Sequence, residues 1–285
     1  MAHNWIQTFL AEQELPESFR ETIEGVCQPL AARAARLRQV RRRTAVIGLC
    51  GAQGSGKSTV AAATVKLLED DGLSAVAVSL DDFYLSRRAR EQLAKRAHPL
   101  LATRGPPGTH DVDLAGAVLD QLRKEGRLAL PAFDKAADER RPRAAWTTVA
   151  TPVDVVIFEG WCVGARAQGA AALDVPVNSL EAEEDPAGRW RAYVNAQLDG
   201  PYQQLFDRLN ELVLLQAPSF DVVAGWRLEQ ERKLIARSGR GMSETEVARF
   251  VAHYERLTRW ILAEMPARAD VVFPLGPDRS PHAPG

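Results

Sequence analysis

Thr44-Ala-Val-Ile-Gly-Leu-Cys-Gly-Ala-Gln-Gly-Ser-Gly-Lys-Ser-Thr59 is the stretch that decides the fold of this chain. Thr44 to Cys50 is apolar and partly β-branched, as a buried strand requires. Gly51, four residues, then Gly56, Lys57 and Ser58 has the spacing of a phosphate-binding loop. Val60 to Leu68 is rich in helix formers. Strand, glycine loop and helix in that order separate a working phosphate loop from a glycine turn with an incidental lysine. The glycines let backbone N–H groups curl around an anion, and the helix N-terminus adds partial positive charge. Gly51, Ala52, Gln53, Gly54, Ser55, Gly56, Lys57, Ser58 and Thr59 are therefore the expected nucleotide cradle. Lys57 is expected to reach the β/γ-phosphates and Ser58 to ligate magnesium.

On the C-terminal side, strands and helices alternate. Ser74 to Leu80 reads as a second strand ending in Asp81-Asp82-Phe83-Tyr84, and a basic helix follows over about 86–97. Arg104-Gly-Pro-Pro-Gly-Thr-His-Asp111 is a glycine-proline loop with no core to fill, which leaves its polar residues free for a ligand. An amphipathic helix is expected over 113–125. Pro131-Ala-Phe-Asp-Lys135 and the charged stretch to Arg143 form a second polar loop. Val153 to Gly160 is the third strand, with Glu159 at its end. Residues 165–188 read as an irregular surface insertion. Leu212–Leu215 and Val271–Leu275 are the fourth and fifth strands, and the tail beyond Pro277 is expected to be loose. Between them, 226–240 is an arginine-bearing helix. Ser243-Glu-Thr-Glu246 is a capping box opening a long helix to about Met265. Such alternation implies an α/β fold with a parallel sheet covered on both faces, and ligands at the C-terminal strand ends. The glycine loop, Asp81 and Glu159 all fall at those ends.

On the N-terminal side, residues 1–43 read as a helical segment packed on the 44–285 domain, because Phe19, Ile23, Val26 and Leu30 recur at helical spacing. Its end carries Arg33, Arg36, Arg38, Arg41, Arg42 and Arg43, either an anion-binding or partner surface or a solvated helix face. The solvated face is favoured because the 285-residue chain has a formal net charge of only −1. That balance gives no general field for nucleic acid or membrane. The 46% hydrophobic content suffices for a full core. Cys27, Cys50 and Cys162 are widely spaced, as reduced thiols of a cytoplasmic protein would be, without disulfide or metal spacing. No apolar run reaches the roughly 18 residues of a membrane span, and Met1-Ala-His-Asn-Trp-Ile has no signal-peptide pattern.

Phosphoryl transfer needs a phosphate cradle, a metal, cations for the γ-phosphate and an acceptor for the nucleophile's proton. Glu159 stands where an acid helps hold magnesium. Asp81 and Asp82 are adjacent, so at a strand end they point opposite ways. Asp81 is the expected general base, and Asp82 suits capping of the helix before Ser86. Arg232, Arg237 and Arg240 lie on or beyond a helix ending in Ser238-Gly-Arg-Gly241, a lid pattern over about 226–242 whose guanidinium groups suit a transferring phosphoryl group. Arg104, His110, Asp111, Lys135 and Arg140 suit a small acceptor carrying a carboxylate and hydroxyls. A lone histidine such as His110 would otherwise read as a surface residue.

Gly51–Thr59, Ser79-Leu-Asp-Asp-Phe-Tyr-Leu85, Arg104–Asp111, Pro131–Lys135 and Phe158-Glu-Gly-Trp161 together resemble the D-glycerate 3-kinase family, P-loop kinases related to uridine kinase, pantothenate kinase and phosphoribulokinase. The resemblance spans roughly residues 40–276. It implies ATP and Mg2+ as cofactors, D-glycerate as acceptor, a nucleoside-kinase-like sheet of order 2-3-1-4-5, and a catalytic base at Asp81. It also implies a lid with arginines at Arg232 and Arg237; the third, Arg240, is offset by one residue. Two other readings stay open: a kinase of the same fold for a nucleoside or pantothenate-like acceptor, and a non-catalytic ATP-binding regulator.

Overall fold

The apolar run before the glycine loop forms β1, Ala45–Gly51, buried along its whole length. The computed structural model describes residues 5–238 and 241–282, apart from the side chains of residues 233, 234, 237 and 238. Eight further strands follow: β2 Ala75–Ser79, β3 Gly126–Leu130, β4 Phe133–Asp134, β5 Glu139–Arg140, β6 Thr147–Thr151, β7 Val155–Gly160, β8 Glu211–Gln216 and β9 Val271–Pro274. Five of them make one sheet, β2-β7-β1-β8-β9, with every pairing parallel. Counting only those five along the chain, the order is 2-3-1-4-5, as expected.

Successive residues of a strand face opposite sides of a sheet, so near-continuous apolar strands fill two cores. Ile47, Leu49, Val155, Ile157, Val213 and Leu215 face one core. There they meet helix Lys57–Asp70 and the N-terminal helices through Phe9, Ile23, Val26 and Leu30. Val46, Cys50, Val156, Phe158, Leu212 and Leu214 face the other, against helix Val112–Gln121 and the segment Leu198–Phe206. Helix Glu244–Glu264 contributes to both cores, and its start carries the expected capping box, with Ser243 and Glu246 bonded reciprocally.

Register places the functional strand ends side by side. Cys50 stands opposite Gly160, Leu49 opposite Glu159, and Glu159 opposite Ser79.

Several stretches differ from the sequence expectation. The polar stretch 126–151 contains two antiparallel ribbons, β3–β6 and β4–β5. They are too short and too polar to stand out as strands. Residues 165–188 are not a wholly superficial insertion. Helix Ser179–Glu184 buries Leu180 and Glu181, and Arg256 donates to both Glu181 carboxylate oxygens at 2.8 and 2.7 Å. Asp185 is equally buried, against Arg191. The helix expected from 226 begins at Phe220. The tail beyond Pro277 is not loose up to residue 282, because Trp226 Nε1 donates to Pro277 O at 2.6 Å and Leu275 bridges Pro281.

Candidate active site

Gly54 and Gly56 of the loop after β1 have φ of +79° and +84°, conformations that L side chains rarely adopt. A Cβ on Gly54 would also lie 2.6 Å from Trp226 Cβ. Gly56 caps helix Lys57–Asp70 without a side-chain hydrogen bond at the cap. The first N–H groups of a helix have no partner within it, so this end is suited to an anion.

Beside it, β7 ends in Glu159, which is 3% exposed. Ser58 Oγ donates to Glu159 Oε1 at 2.8 Å, and Lys57 Nζ lies 4.0 Å from Oε2. Oε2 is buried and has no hydrogen-bond partner among the described residues. A buried carboxylate oxygen normally finds a partner. Here the open oxygen and the neighbouring hydroxyl are hard donors of the kind a magnesium ion takes alongside phosphates and water.

Asp81 follows β2 in the tight turn Leu80–Phe83. Its Oδ2 lies 2.7 Å from Lys135 Nζ, and its Oδ1 accepts from Tyr84 Oη at 3.0 Å. Burial pushes the Asp81 carboxyl up, but Lys135 and Lys57 outweigh it and hold the group well below the usual carboxylate range. Asp82 does not cap the next helix; Ser86 does, accepting from Ala89 N at 3.2 Å. Asp82 instead accepts the Phe133 N–H at 3.0 Å, which pins the segment bearing Lys135 beside Asp81. Burial pushes Asp82 up to about 6.

The Arg104–Asp111 loop does fill core, because residues 105–110 are all buried. Gly105 has φ +125°, and a Cβ there would sit 1.9 Å from Tyr254 Oη. Tyr254 Oη donates to Arg104 O at 3.0 Å and Trp161 Nε1 donates to Gly105 O at 3.2 Å, so aromatic side chains satisfy these two backbone carbonyls. His110 is a buried wedge and not a surface residue. It stacks on Tyr84 at 4.4 Å between ring centroids, and its Nδ1 lies 2.6 Å from Tyr202 Oη. Burial lowers its pKa to about 4, which keeps the ring neutral at pH 7.

Asp111 is committed to the fold. It accepts from Leu114 N at 3.1 Å as a helix cap and from Arg140 at 3.2 Å. Arg140 also donates to Tyr84 O. Arg104 pairs with Asp138 at 2.6 Å, 5.9 Å above the Phe133 ring, and Asp138 also holds the fully buried Arg90 at 2.6 Å. The five residues expected around an acceptor thus gather on the Asp81 side of the site, but only Lys135 touches Asp81 among them. Arg90 and Asp138 do not stand out in the sequence, since their pairing depends on the β4–β5 ribbon.

The lid residues stand differently. Arg232 is exposed and pairs with Glu244 at 2.6 Å. The Arg237 side chain and all of Arg240 lie outside the described residues. Arg279, at the end of the sheet after β9, reaches the loop: Nε donates to Gly54 O at 2.7 Å and the guanidinium lies 5.3 Å from the Trp226 ring centroid. From the sequence alone, Gly276–Arg279 is no more than a stretch that could lie near the base of a nucleotide.

Residues 46–178 match the model of the "Phosphoribulokinase / Uridine kinase family". A fission yeast relative, the uncharacterized kinase mug58 of Schizosaccharomyces pombe, is 37% identical over 228 residues, covering 74% of this chain and 79% of the relative. The chain belongs to the phosphoribulokinase/uridine kinase family. It is a P-loop kinase, and ATP use follows from that family. The chloroplastic D-glycerate 3-kinase of Arabidopsis thaliana is 31% identical over 226 residues, 73% of this chain and 46% of the relative. The solved D-glycerate 3-kinase of Cryptococcus neoformans superposes with a TM-score of 0.74 at 26% identity, covering 92% of this chain and 98% of that one. Among the described residues, no helix of this P-loop kinase is long and apolar enough to cross a membrane.

Proposed function

We propose that this kinase transfers the γ-phosphoryl group of ATP, with Mg2+, to the 3-hydroxyl of D-glycerate, giving 3-phosphoglycerate and ADP. The observation that carries this reading is the Lys135–Asp81 pair at the C-terminal end of β2, on the same edge of the sheet as the glycine loop. It joins a carboxylate able to accept a hydroxyl proton to a lysine able to meet an acceptor's carboxylate. Resemblance to two D-glycerate 3-kinases supports the choice of acceptor.

In this reading the loop N–H groups and Lys57 hold the β- and γ-phosphates. Ser58 and Glu159 hold Mg2+, which neutralises developing phosphate charge. Asp81 takes the proton as the hydroxyl oxygen bonds to the γ-phosphorus, and the bond to the bridging β-phosphate oxygen breaks. Lys135, Arg104 and Arg140 supply positive charge for the glycerate carboxylate, and His110 and Asp111 shape the pocket wall. Residues 226–242 act as a lid bringing Arg232 and Arg237 over the γ-phosphate.

The test is coupled ADP release with Mg-ATP and a panel of acceptors: D-glycerate, uridine, pantothenate, ribulose 5-phosphate and none. Release that depends on D-glycerate is the expected result. Release with another acceptor alone overturns the pocket reading, and acceptor-independent release throughout overturns the transfer reaction itself.

A further inference from the structure

At the end of the sheet opposite the glycine loop, where β1, β7 and β8 begin, the chain forms an open recess of about 660 Å³. Small-molecule pockets commonly span some 300–1,000 Å³. Thr44, Val153 and Asn210 form part of its wall, and they are tied into the sheet. Thr44 Oγ1 donates to Val153 O at 2.7 Å, and Asn210 Oδ1 accepts the Val46 N–H at 2.9 Å. The seven residues of β1 put about 20 Å between this recess and the glycine loop.

Six arginines line the recess: Arg38, Arg41, Arg42, Arg43, Arg123 and Arg208. The acidic lining is Asp154 and Asp207. Three of the arginines are already committed. Arg38 donates to Asp154 at 2.8 Å, Arg208 to both Asp120 oxygens at 3.0 and 2.9 Å, and Arg123 to Arg208 O at 2.7 Å. The other three, Arg41, Arg42 and Arg43, make no side-chain hydrogen bond or ion pair among the described residues, and Arg41 Nε is buried without a partner. Arg42 has φ +53°, which ends the helix Gln28–Arg41 at the recess. The cations also feel one another. Burial lowers the pKa of Arg123, Asp120 opposes that, and Arg43, Arg208 and Arg41 lower it further.

Arg42 and Arg43 are exposed, as a solvated helix face would have them, but with the half-buried Arg41 they line one recess whose carboxylates are too few to satisfy them. Guanidinium groups bind phosphate oxygens with paired hydrogen bonds, so a bound phosphate would supply the missing partners. We infer that the recess is a binding site for a small polyanion carrying at least two phosphate groups, separate from the glycine loop. A recess lined in part by Asp154 and Asp207 suits a compact ligand better than a nucleic-acid backbone or a lipid surface.

Binding of tripolyphosphate to the full chain, followed by calorimetry at low salt, tests this without reference to the acceptor. Lys57→Ala weakens the glycine loop and is expected to leave one bound tripolyphosphate per chain. Adding Arg41→Gln and Arg43→Gln to that variant is expected to weaken the remaining site at least tenfold. With Lys57 intact, the same two arginine changes are expected to leave ATP affinity unchanged. If Lys57→Ala abolishes all tripolyphosphate binding, or the arginine changes leave its affinity unaltered, the site does not exist. Tighter arginine-dependent binding to phosphatidylserine vesicles or to a DNA duplex than to tripolyphosphate would also overturn the small-ligand assignment. Arg43→Gln alone, at a side chain that makes no hydrogen bond or ion pair among the described residues, decides the matter should the double change unfold the chain.

Discussion

Lys135 Nζ lies 2.7 Å from Asp81 Oδ2, while Tyr84 occupies the other carboxylate oxygen. Burial alone would favour a protonated Asp81, and the two lysines reverse that preference. The Lys135 side chain is 61% exposed, so it can turn toward an incoming acceptor without leaving a buried site. As it turns, the carboxylate loses a stabilising cation and becomes more basic. The acceptor that carries the hydroxyl would thereby prepare the base that deprotonates it. Lys135→Met removes the cation outright. Its acceptor KM should rise at least about tenfold, and the acid limb of its kcat/KM profile should move to higher pH, because losing the cation raises the Asp81 pKa. An unmoved limb would show that Asp81 is not the titrating base.

Asp81→Asn keeps the shape of the side chain and removes its basicity. Turnover should fall by roughly 10²–10⁴-fold, the usual weight of a general base. ATP affinity should change little, since the glycine loop is untouched. Steady-state kinetics beside direct nucleotide binding separates the two effects, and full turnover would remove Asp81 from the mechanism.

Glu159 Oε2 is buried without a hydrogen-bond partner among the described residues, with Lys57 Nζ 4.0 Å away, an arrangement that a bound cation would relieve. Glu159→Gln keeps a hydrogen-bonding oxygen for Ser58 and removes the negative charge. The Mg2+ concentration for half-maximal activity should rise about 10–100-fold, while affinity for metal-free ATP should hold or improve as that charge leaves. A magnesium titration at fixed ATP reads this, and an unchanged midpoint would place the metal elsewhere.

The glycine loop and the five core strands were legible in the sequence because each rests on local rules: apolar runs, glycine spacing, helix formers. The capping box at Ser243 was readable for the same reason. What escaped depended on partners distant in the chain. His110 looks like a surface histidine until Tyr84 and Tyr202 close around it. Asp111 looks like a ligand until Leu114 N and Arg140 engage its two oxygens. The buried loop around Gly105 reads as a free one, because Tyr254 lies about 150 positions away. Arg279 belongs to a tail that composition marks as loose, yet it donates to Gly54 O across 225 positions.

Asp82 gives the fold its own pH signature. Its carboxyl titrates near 6 in the fold, against an ordinary value of 3.8. Between those values the folded chain holds a proton that the unfolded chain releases, so this group's contribution to stability falls as pH rises from about 4 to 6. Asp82→Asn cannot lose that proton. Its melting temperature relative to the unaltered chain should therefore increase across the window and level off above pH 7. Thermal melts at several pH values test the difference, and a constant offset would mean that Asp82 does not titrate there.

Arg232 is held by Glu244 in a pair whose side chains are 66% and 72% exposed. Such pairs contribute only about 0–1 kcal/mol, so little energy opposes their opening. If Arg232 meets the γ-phosphate when the lid closes, the pair is a resting contact that competes with closure. Glu244→Gln frees the arginine and should leave the melting temperature nearly unchanged while lowering the KM for ATP modestly. Arg232→Ala should instead reduce kcat, because a guanidinium acting on the transferring group stabilises charge that develops in the transition state. The two variants thus move kinetics in opposite directions from one broken ion pair. If both leave kcat and KM unaltered, the pair is a surface contact and the lid works through other residues.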